Sequence, residues 1–467
     1  MDPITTHDAE RVMRRNVFSA GGFLVIAVAL WFFLFFLQAD FSWSMFMMIG
    51  LIFVVCIAVT LSYAPKATLL GIIFLKPAID QLWWFKAFGG LNFQAVIGAV
   101  IPIMAFVFLF LTRNEFFLRA PRCIWIRRMC LLTFVTLYLN GFRSSALAEE
   151  FRIISGPALF FLTGWLFTEA GDVKRLSKAV IWSSVWIFIG IWVSYLIGKE
   201  HFSLDTFGTN PLEGMFYHKQ DLARVATMMC VFSLCFIQMT ESRAAKFLCY
   251  GVAIVMVGIV FSSYTRMSWI AIFACVCFWY LWLGKWKQVL FIAPLALALS
   301  WGTLDKSFQQ AHFDMNNPTL MDPKSVSGRG AIWKAQMIGF SEMNVVEQLL
   351  GGGYNRSIGL SAEFSETGVA RNAHSCIPLM LVENGILFTI LYNMLLILLC
   401  RDALSLRKSD DLKLKILGAL FMVGVIYFYV SGITTNSHTY PSLTWYVWGL
   451  GGIVYRVKHF PDRKSVV

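Results

Sequence analysis

An all-α polytopic bundle that crosses a membrane about 12–14 times is the fold class the sequence predicts. Three observations lead there: 58% of the 467 residues are hydrophobic, only 14% are charged, and the mean hydropathy is +0.66. A soluble domain carries about 25% charged residues, and a soluble globule of this size has no single core able to hide so much apolar surface. A soluble enzyme, a disordered scaffold and a nucleic-acid binder therefore fit poorly, and no nucleic-acid partner is expected. The net charge of +12 has another use in a membrane protein, where basic residues collect in short loops and orient the chain. The ten cysteines fall mostly inside apolar runs. They follow neither a disulfide framework nor zinc-ligand spacing, so no metal or cofactor is expected.

A span needs about 20 mostly apolar residues. Runs at 17–37, 43–62, 91–112, 179–197, 247–264, 267–284, 375–400 and 416–436 meet that length, and shorter ones lie at 129–142, 153–169, 225–240, 288–304 and 441–455. The first run is too long for a signal-peptide core and lacks a small-x-small cleavage site, so it reads as a retained helix. Segment 67–87 is broken by Lys76-Pro77 and Asp80 and reads as a bent span or a re-entrant segment. Counting it gives about 14 helices; without it a second weak span is lost too, leaving about 12.

Charge asymmetry sets the orientation. With Arg11, Arg14 and Arg15 in the cytoplasm, each even-numbered loop should be basic. They are: Arg113 to Arg128, then Lys174, Arg175 and Lys178, then Arg243 with Lys246, Lys285 with Lys287, and Arg401 to Lys415. The tail, with Arg456 and Lys458, lands on the same side, so both termini are expected to be cytoplasmic. The chain then divides into an N-terminal transmembrane bundle (1–304), a long outer loop region expected to contain short helices (305–373), and C-terminal transmembrane helices with a cytoplasmic tail (374–467). A second outer loop covers 198–224. In a lipid-embedded chain, outer loops of this size are where function concentrates.

Several basic residues defy the charge bias by lying outside: Lys219, Arg224, Arg266, Arg329, Arg356 and Arg371. Arg266 sits in Ser263-Tyr264-Thr265-Arg266, a tight turn between two apolar runs. On its own it reads equally as an arginine snorkelling to the interface or as an anion-binding group. Arg329, in Ser327-Gly328-Arg329, opens a helix expected to run to about Phe340, with Trp333 one turn on. That helix lies on the membrane with an exposed arginine, or holds phosphate with its N-terminus and guanidinium together. His374 begins the apolar run after the loop; it is an ordinary junction residue or a general base. Glu383, two turns further in, should be protonated or paired with a basic residue.

Together these motifs resemble the O-antigen ligase and polysaccharide polymerase superfamily. The resemblance rests on Ser-Gly-Arg-x3-Trp at 327–333, Gly351-Gly352-Gly353-Tyr354, Ala373-His374-Ser375 leading to Glu383-Asn384-Gly385, Tyr264-Thr265-Arg266, and His218 to Ala223. It covers about 200–400. Gln220 and Ser375 stand where asparagine is common, which bears on the subgroup.

The resemblance implies a bacterial inner-membrane enzyme that transfers a glycan from an undecaprenyl-pyrophosphate carrier to a hydroxyl at the periplasmic face, with inversion and without a metal. Arg266 and Arg329 would hold the pyrophosphate, His374 would act as base, and Lys219, Arg224, Trp333, Arg371 and Glu383 would support them. Its expected partners are the lipid-linked donor, a glycan or lipid A-core acceptor, membrane lipids, a chain-length regulator and a flippase. The Ser-Gly-Arg-x3-Trp form places a polymerase ahead of a ligase acting on lipid A-core or a protein hydroxyl. A secondary transporter would need two related halves with broken helices and mid-membrane charges, and the halves here do not resemble each other.

Overall fold

The computed structural model describes residues 64–82, 86–88, 91–92, 98, 101–103, 105, 120–141, 144–196, 212–216, 218–292, 294, 328–365 and 370–460. The expected spans at 17–37 and 43–62 lie outside the described residues, as do most of 91–112 and 288–304. What is described is overwhelmingly helical. Five stretches are long and apolar enough to cross a membrane: Gly171–Leu196, Lys219–Met239, Arg243–Ser262, Cys376–Leu406 and Leu412–Gly432. The chain is an all-α polytopic membrane protein.

Helix α1 (Pro65–Gln81) occupies the segment that sequence left between a bent span and a re-entrant one. Pro77 lies inside it, and Lys76 and Asp80, one turn apart and both buried, form an ion pair. The Lys76 ammonium also sits 4.8 Å from the centre of the Trp445 ring. The charges that seemed to interrupt the span are thus satisfied within it. A short antiparallel ribbon, β1 (Lys86–Phe88) and β2 (Leu91–Asn92), follows.

Helix α2 (Pro121–Leu139) starts earlier than the apolar run suggests. Pro121, with its fixed φ, opens it and draws Arg122, Arg127 and Arg128 into the helix instead of a loop. Helix α3 (Ser144–Leu166) packs along the last helix of the chain (Pro441–His459), and α4 (Ala170–Trp182) with α5 (Ser184–Leu196) makes one nearly continuous rod. Helix α6 (Lys219–Met239) also starts early, so Arg224 stands in its second turn and not in the loop expected at 198–224. Helices α7 (Arg243–Ser262) and α8 (Arg266–Trp282) follow.

In the segment expected as an outer loop, α9 (Gly328–Glu342), α10 (Val345–Leu350) and α11 (Arg356–Phe364) form a small apolar cluster in which Met343 and Leu360 meet Val382. The chain returns through α12 (Cys376–Leu379), a π-helical turn (Met380–Asn384) and α13 (Gly385–Leu406). Helix α14 (Leu412–Gly432) and α15 (Pro441–His459), joined through a 3-10 turn (Ser437–Thr439), close the bundle.

The helices run so that basic residues gather at one end. There Arg122, Lys458 and His459 surround the buried Asp402, Lys66 pairs with Asp172 at 3.2 Å, and Lys285 donates to Gln238 at 3.1 Å. The opposite end carries the Tyr264 turn, α9–α11, residues 370–375 and the 433–440 turn.

A glycine run joins α9–α11 to the bundle. The Gly352 and Gly353 amides donate to the Val382 and Glu383 carbonyls at 2.9 and 3.1 Å. From α2, Thr136 donates to the Leu350 carbonyl and Asn140 to that of Gly351. Gly351 (φ 95°) and Gly385 (φ 81°) face each other across this seam, and a Cβ on either would overlap the other's backbone neighbours. Only glycine meets both the left-handed φ and the close approach. Gly351→Ala should therefore destabilise the protein by about 2 kcal/mol or more. Gly251→Ala, mid-helix in α7 with open space around the new Cβ, should be neutral or stabilising by up to about 1 kcal/mol. Thermal unfolding of both variants in one detergent checks the pair.

Candidate functional site

Arg266 opens α8 from a tight turn. Ser263 Oγ donates to the Val260 carbonyl at 2.7 Å, lies 2.6 Å from Thr265 Oγ1, and accepts from the Thr265 amide. Trp269 Nε1 donates to the same Val260 carbonyl at 2.9 Å. This lattice holds Tyr264 at φ 50°, a conformation non-glycine residues rarely adopt. It fixes where α8 begins, and the Ser268 and Trp269 amides close back on the Thr265 carbonyl at 2.9 and 3.2 Å. Across the bundle, Tyr427 Oη donates to Ser268 Oγ at 3.3 Å, and the Leu212 amide reaches the Ser262 carbonyl at 2.9 Å.

Arg329 lies in the first described turn of α9, a helix that runs to Glu342, near the end expected at Phe340. One turn on, Trp333 Nε1 donates to the Ala373 carbonyl at 2.6 Å. Gln336, fully buried, donates through Nε2 to the Ser357 carbonyl at 3.0 Å and the Arg371 carbonyl at 3.4 Å. The helix that carries Arg329 is thus bonded to the segment that carries His374. The Arg371 amide is tied to Ser361 Oγ at 3.1 Å.

His374 has φ 46°. Its neighbours Ala373 and Ser375 are buried while His374 itself is exposed. The backbone is clamped on its other side too: Ser375 Oγ donates to the Gly432 carbonyl at 3.4 Å, and Asn436 Nδ2 donates to Asn372 Oδ1 at 3.1 Å. Cys376 Sγ lies 3.3 Å from His438 Nδ1. A left-handed, exposed histidine between buried anchors is a side chain held out by its surroundings.

Glu383 is buried in the π-helical turn. It was expected to be protonated or paired with a basic residue; the partner it has is a hydroxyl, Ser357 Oγ of α11, which donates to Oε1 at 2.6 Å. Lys219 is the half-buried first residue of α6. Arg224 is 1% exposed, paired through Nη1 with Asp221 at 2.6 Å, and its guanidinium lies 3.6 Å from the centre of the Tyr440 ring.

The sequence reading missed Asp221 and the 436–440 turn. The run Thr434-Thr435-Asn436-Ser437-His438-Thr439-Tyr440 was legible as a polar outer loop, but nothing in it announced that it packs against residues 372–376. Burial pushes the His438 imidazole down to about 3 and so keeps it neutral, while the Tyr440 phenol is raised by burial against the opposing effect of Arg224. Among the described residues, no group of three or more His, Cys, Asp or Glu is arranged to hold a metal ion.

Residues 251–393 match the family model described as O-antigen ligase. The interval runs from α7 into α13 and includes Arg266, Arg329, His374 and Glu383, whereas Arg224 and the 436–440 turn lie outside it. No curated protein matches the chain.

The buried neutral His438 carries a pH prediction. Its folded value of about 3 lies below the ordinary 6.5, so the unfolded chain binds the extra proton between those values. Stability is unaffected above pH 6.5 and falls as pH drops from there towards 3. His438→Gln should flatten that acid limb, measured as unfolding temperature against pH; an unchanged slope contradicts the assignment.

Proposed function

We propose that this chain, whose residues 251–393 match the family model described as O-antigen ligase, polymerises undecaprenyl-pyrophosphate-linked oligosaccharide units at the periplasmic face of a bacterial inner membrane. In this reading the end rich in Arg122, Lys458 and Asp402 faces the cytoplasm with both termini, and the end bearing His374 faces the periplasm. One observation supports the reading most: the Trp333–Ala373 hydrogen bond, which joins the helix of Arg329 directly to the residue before His374.

The chemistry follows from the residue types. The acceptor hydroxyl loses its proton to the His374 imidazole as its oxygen attacks the anomeric carbon. The bond from that carbon to the pyrophosphate oxygen breaks from the opposite face, and its electron pair goes to the leaving pyrophosphate, so configuration inverts. Negative charge grows on that phosphate. Arg266 and Arg329, held at helix starts, neutralise it from fixed positions and need no reorganisation as the reaction proceeds. Arg371 and Lys219 add positive potential, and apolar faces between helices accommodate the polyprenyl tail.

The matched family's description also favours a second reading, a ligase that passes the glycan to lipid A-core or a protein hydroxyl. Gel analysis of surface glycans in a deletion strain separates the two. Loss of a polymerase leaves single repeats on the acceptor, whereas loss of a ligase leaves long chains on the carrier.

Arg266→Ala and Arg329→Ala should each lower transfer by about 10²-fold or more with membrane insertion intact. His374→Ala should slow single-turnover transfer from bound donor by about 10²–10⁴-fold. Full activity in all three variants overturns the reading.

A further inference from the structure

Arg224 has the build of an oxyanion site that nothing has yet occupied in the argument for transfer. Its Nη1 is met by Asp221, but Nε and Nη2 are buried and have no hydrogen-bond partner among the described residues. Those two nitrogens share one edge of the planar guanidinium, and their N–H bonds point the same way. That is the edge with which arginine grips two oxygens of a carboxylate or a phosphate at once. The Tyr440 ring under the guanidinium fixes its plane, and Asp221 fixes its rotation, so the free edge has one direction. The nearby acids have their own cations: Asp80 is held by Lys76, and Glu149 by Arg152 at 2.9 Å.

Two further features connect this edge with the reacting end of the molecule. The turn that supplies Tyr440 also carries Asn436 Oδ1 and His438 Nε2, both buried without a partner among the described residues, and this turn is bonded to residues 372 and 376 on either side of His374. On the other flank, Arg224 is within electrostatic reach of Tyr427, whose hydroxyl bonds Ser268 in the first turn of α8. Arg224 therefore stands between the helix start of Arg266 and the segment of His374.

We propose that the Nε/Nη2 edge of Arg224 binds an oxyanion of the glycan substrate in bidentate fashion. The proposal rests on the glycan-transfer reading and adds a third arginine, from outside the matched domain. The oxyanion comes from one of two sources, a phosphate of the carrier or the carboxylate of an acidic sugar.

The test uses the full chain in detergent, titrated with inorganic pyrophosphate and, separately, with glucuronate. Arg224→Lys keeps the charge and the contact to Asp221 but loses the two-donor edge. It should weaken binding of one probe by about tenfold; loss for pyrophosphate identifies the phosphate and loss for glucuronate the sugar carboxylate. Asp221→Asn removes a negative neighbour and should tighten the same probe about threefold, which keeps the proposal falsifiable if the lysine variant does not fold. Unchanged affinity for both probes in both variants overturns the proposal, as does failure of the native chain to bind either. Arg266→Ala, titrated alongside, separates the two levels. Pyrophosphate binding lost there but kept in both Arg224→Lys and Asp221→Asn, with glucuronate unaffected, sinks the third arginine and leaves the transfer reading standing. Binding kept in all three sinks the pyrophosphate clamp as well.

Discussion

The candidate site depends on the clamping of one non-helical segment, residues 371–375, and of Cys376, which opens α12 after it. From one side α9 reaches it through Trp333 and Gln336, and from the other the turn after α14 reaches it through Asn436 and His438. Between these grips His374 takes a left-handed backbone conformation that a histidine does not adopt without such over-determination. Tyr264 is held the same way just ahead of Arg266. Of the three described non-glycine residues with positive φ, one is therefore His374 itself and another lies two residues before Arg266, and these two are stabilised by hydrogen bonds in the surrounding turns.

The same logic extends to the small helical cluster above the bundle. Helices α9–α11 bury little apolar surface of their own, so their position is set by the glycine seam with the π-helical turn and by Thr136 and Asn140 at the end of α2. The π-helical turn serves two purposes there. It offers the Val382 and Glu383 carbonyls to the seam, and it turns the Glu383 carboxylate towards Ser357. The Gly-Gly-Gly-Tyr motif is in this sense a docking element, and its effect on the site is to fix where α9, with Arg329 and Trp333, stands.

Much of this was legible in the sequence, and the exceptions have physical causes. Apolar length located α7, α8 and α14 to within a few residues and the start of the α12–α13 stretch to within one, and the charge alternation foretold which ends would be basic. Helix starts were misjudged at α2 and α6 because hydropathy ignores Pro121 and the Asp221–Arg224 pair, which carry the helix through polar residues. Arg224 was counted among exposed loop cations for that reason and proved to be buried. Glu383 was expected to be protonated or paired with a cation; the partner the structure gives it is a serine from α11, and no local pattern could tell which distant loop would cover it. His438 escaped notice because its burial is created by packing against residues more than 60 positions earlier in the chain.

The central claim is that guanidinium groups from separate helices and the His374 imidazole surround one lipid-linked phosphate at the end of the bundle opposite Asp402. The most direct measurement is a structure of the full chain in a lipid nanodisc with polyprenyl pyrophosphate bound. The account predicts phosphate oxygens within hydrogen-bond distance of Arg266 and Arg329, with the first sugar linkage beside His374. Phosphate bound instead among Arg122, Lys458 and His459, or Arg266 and Arg329 each turned away from it, would contradict it.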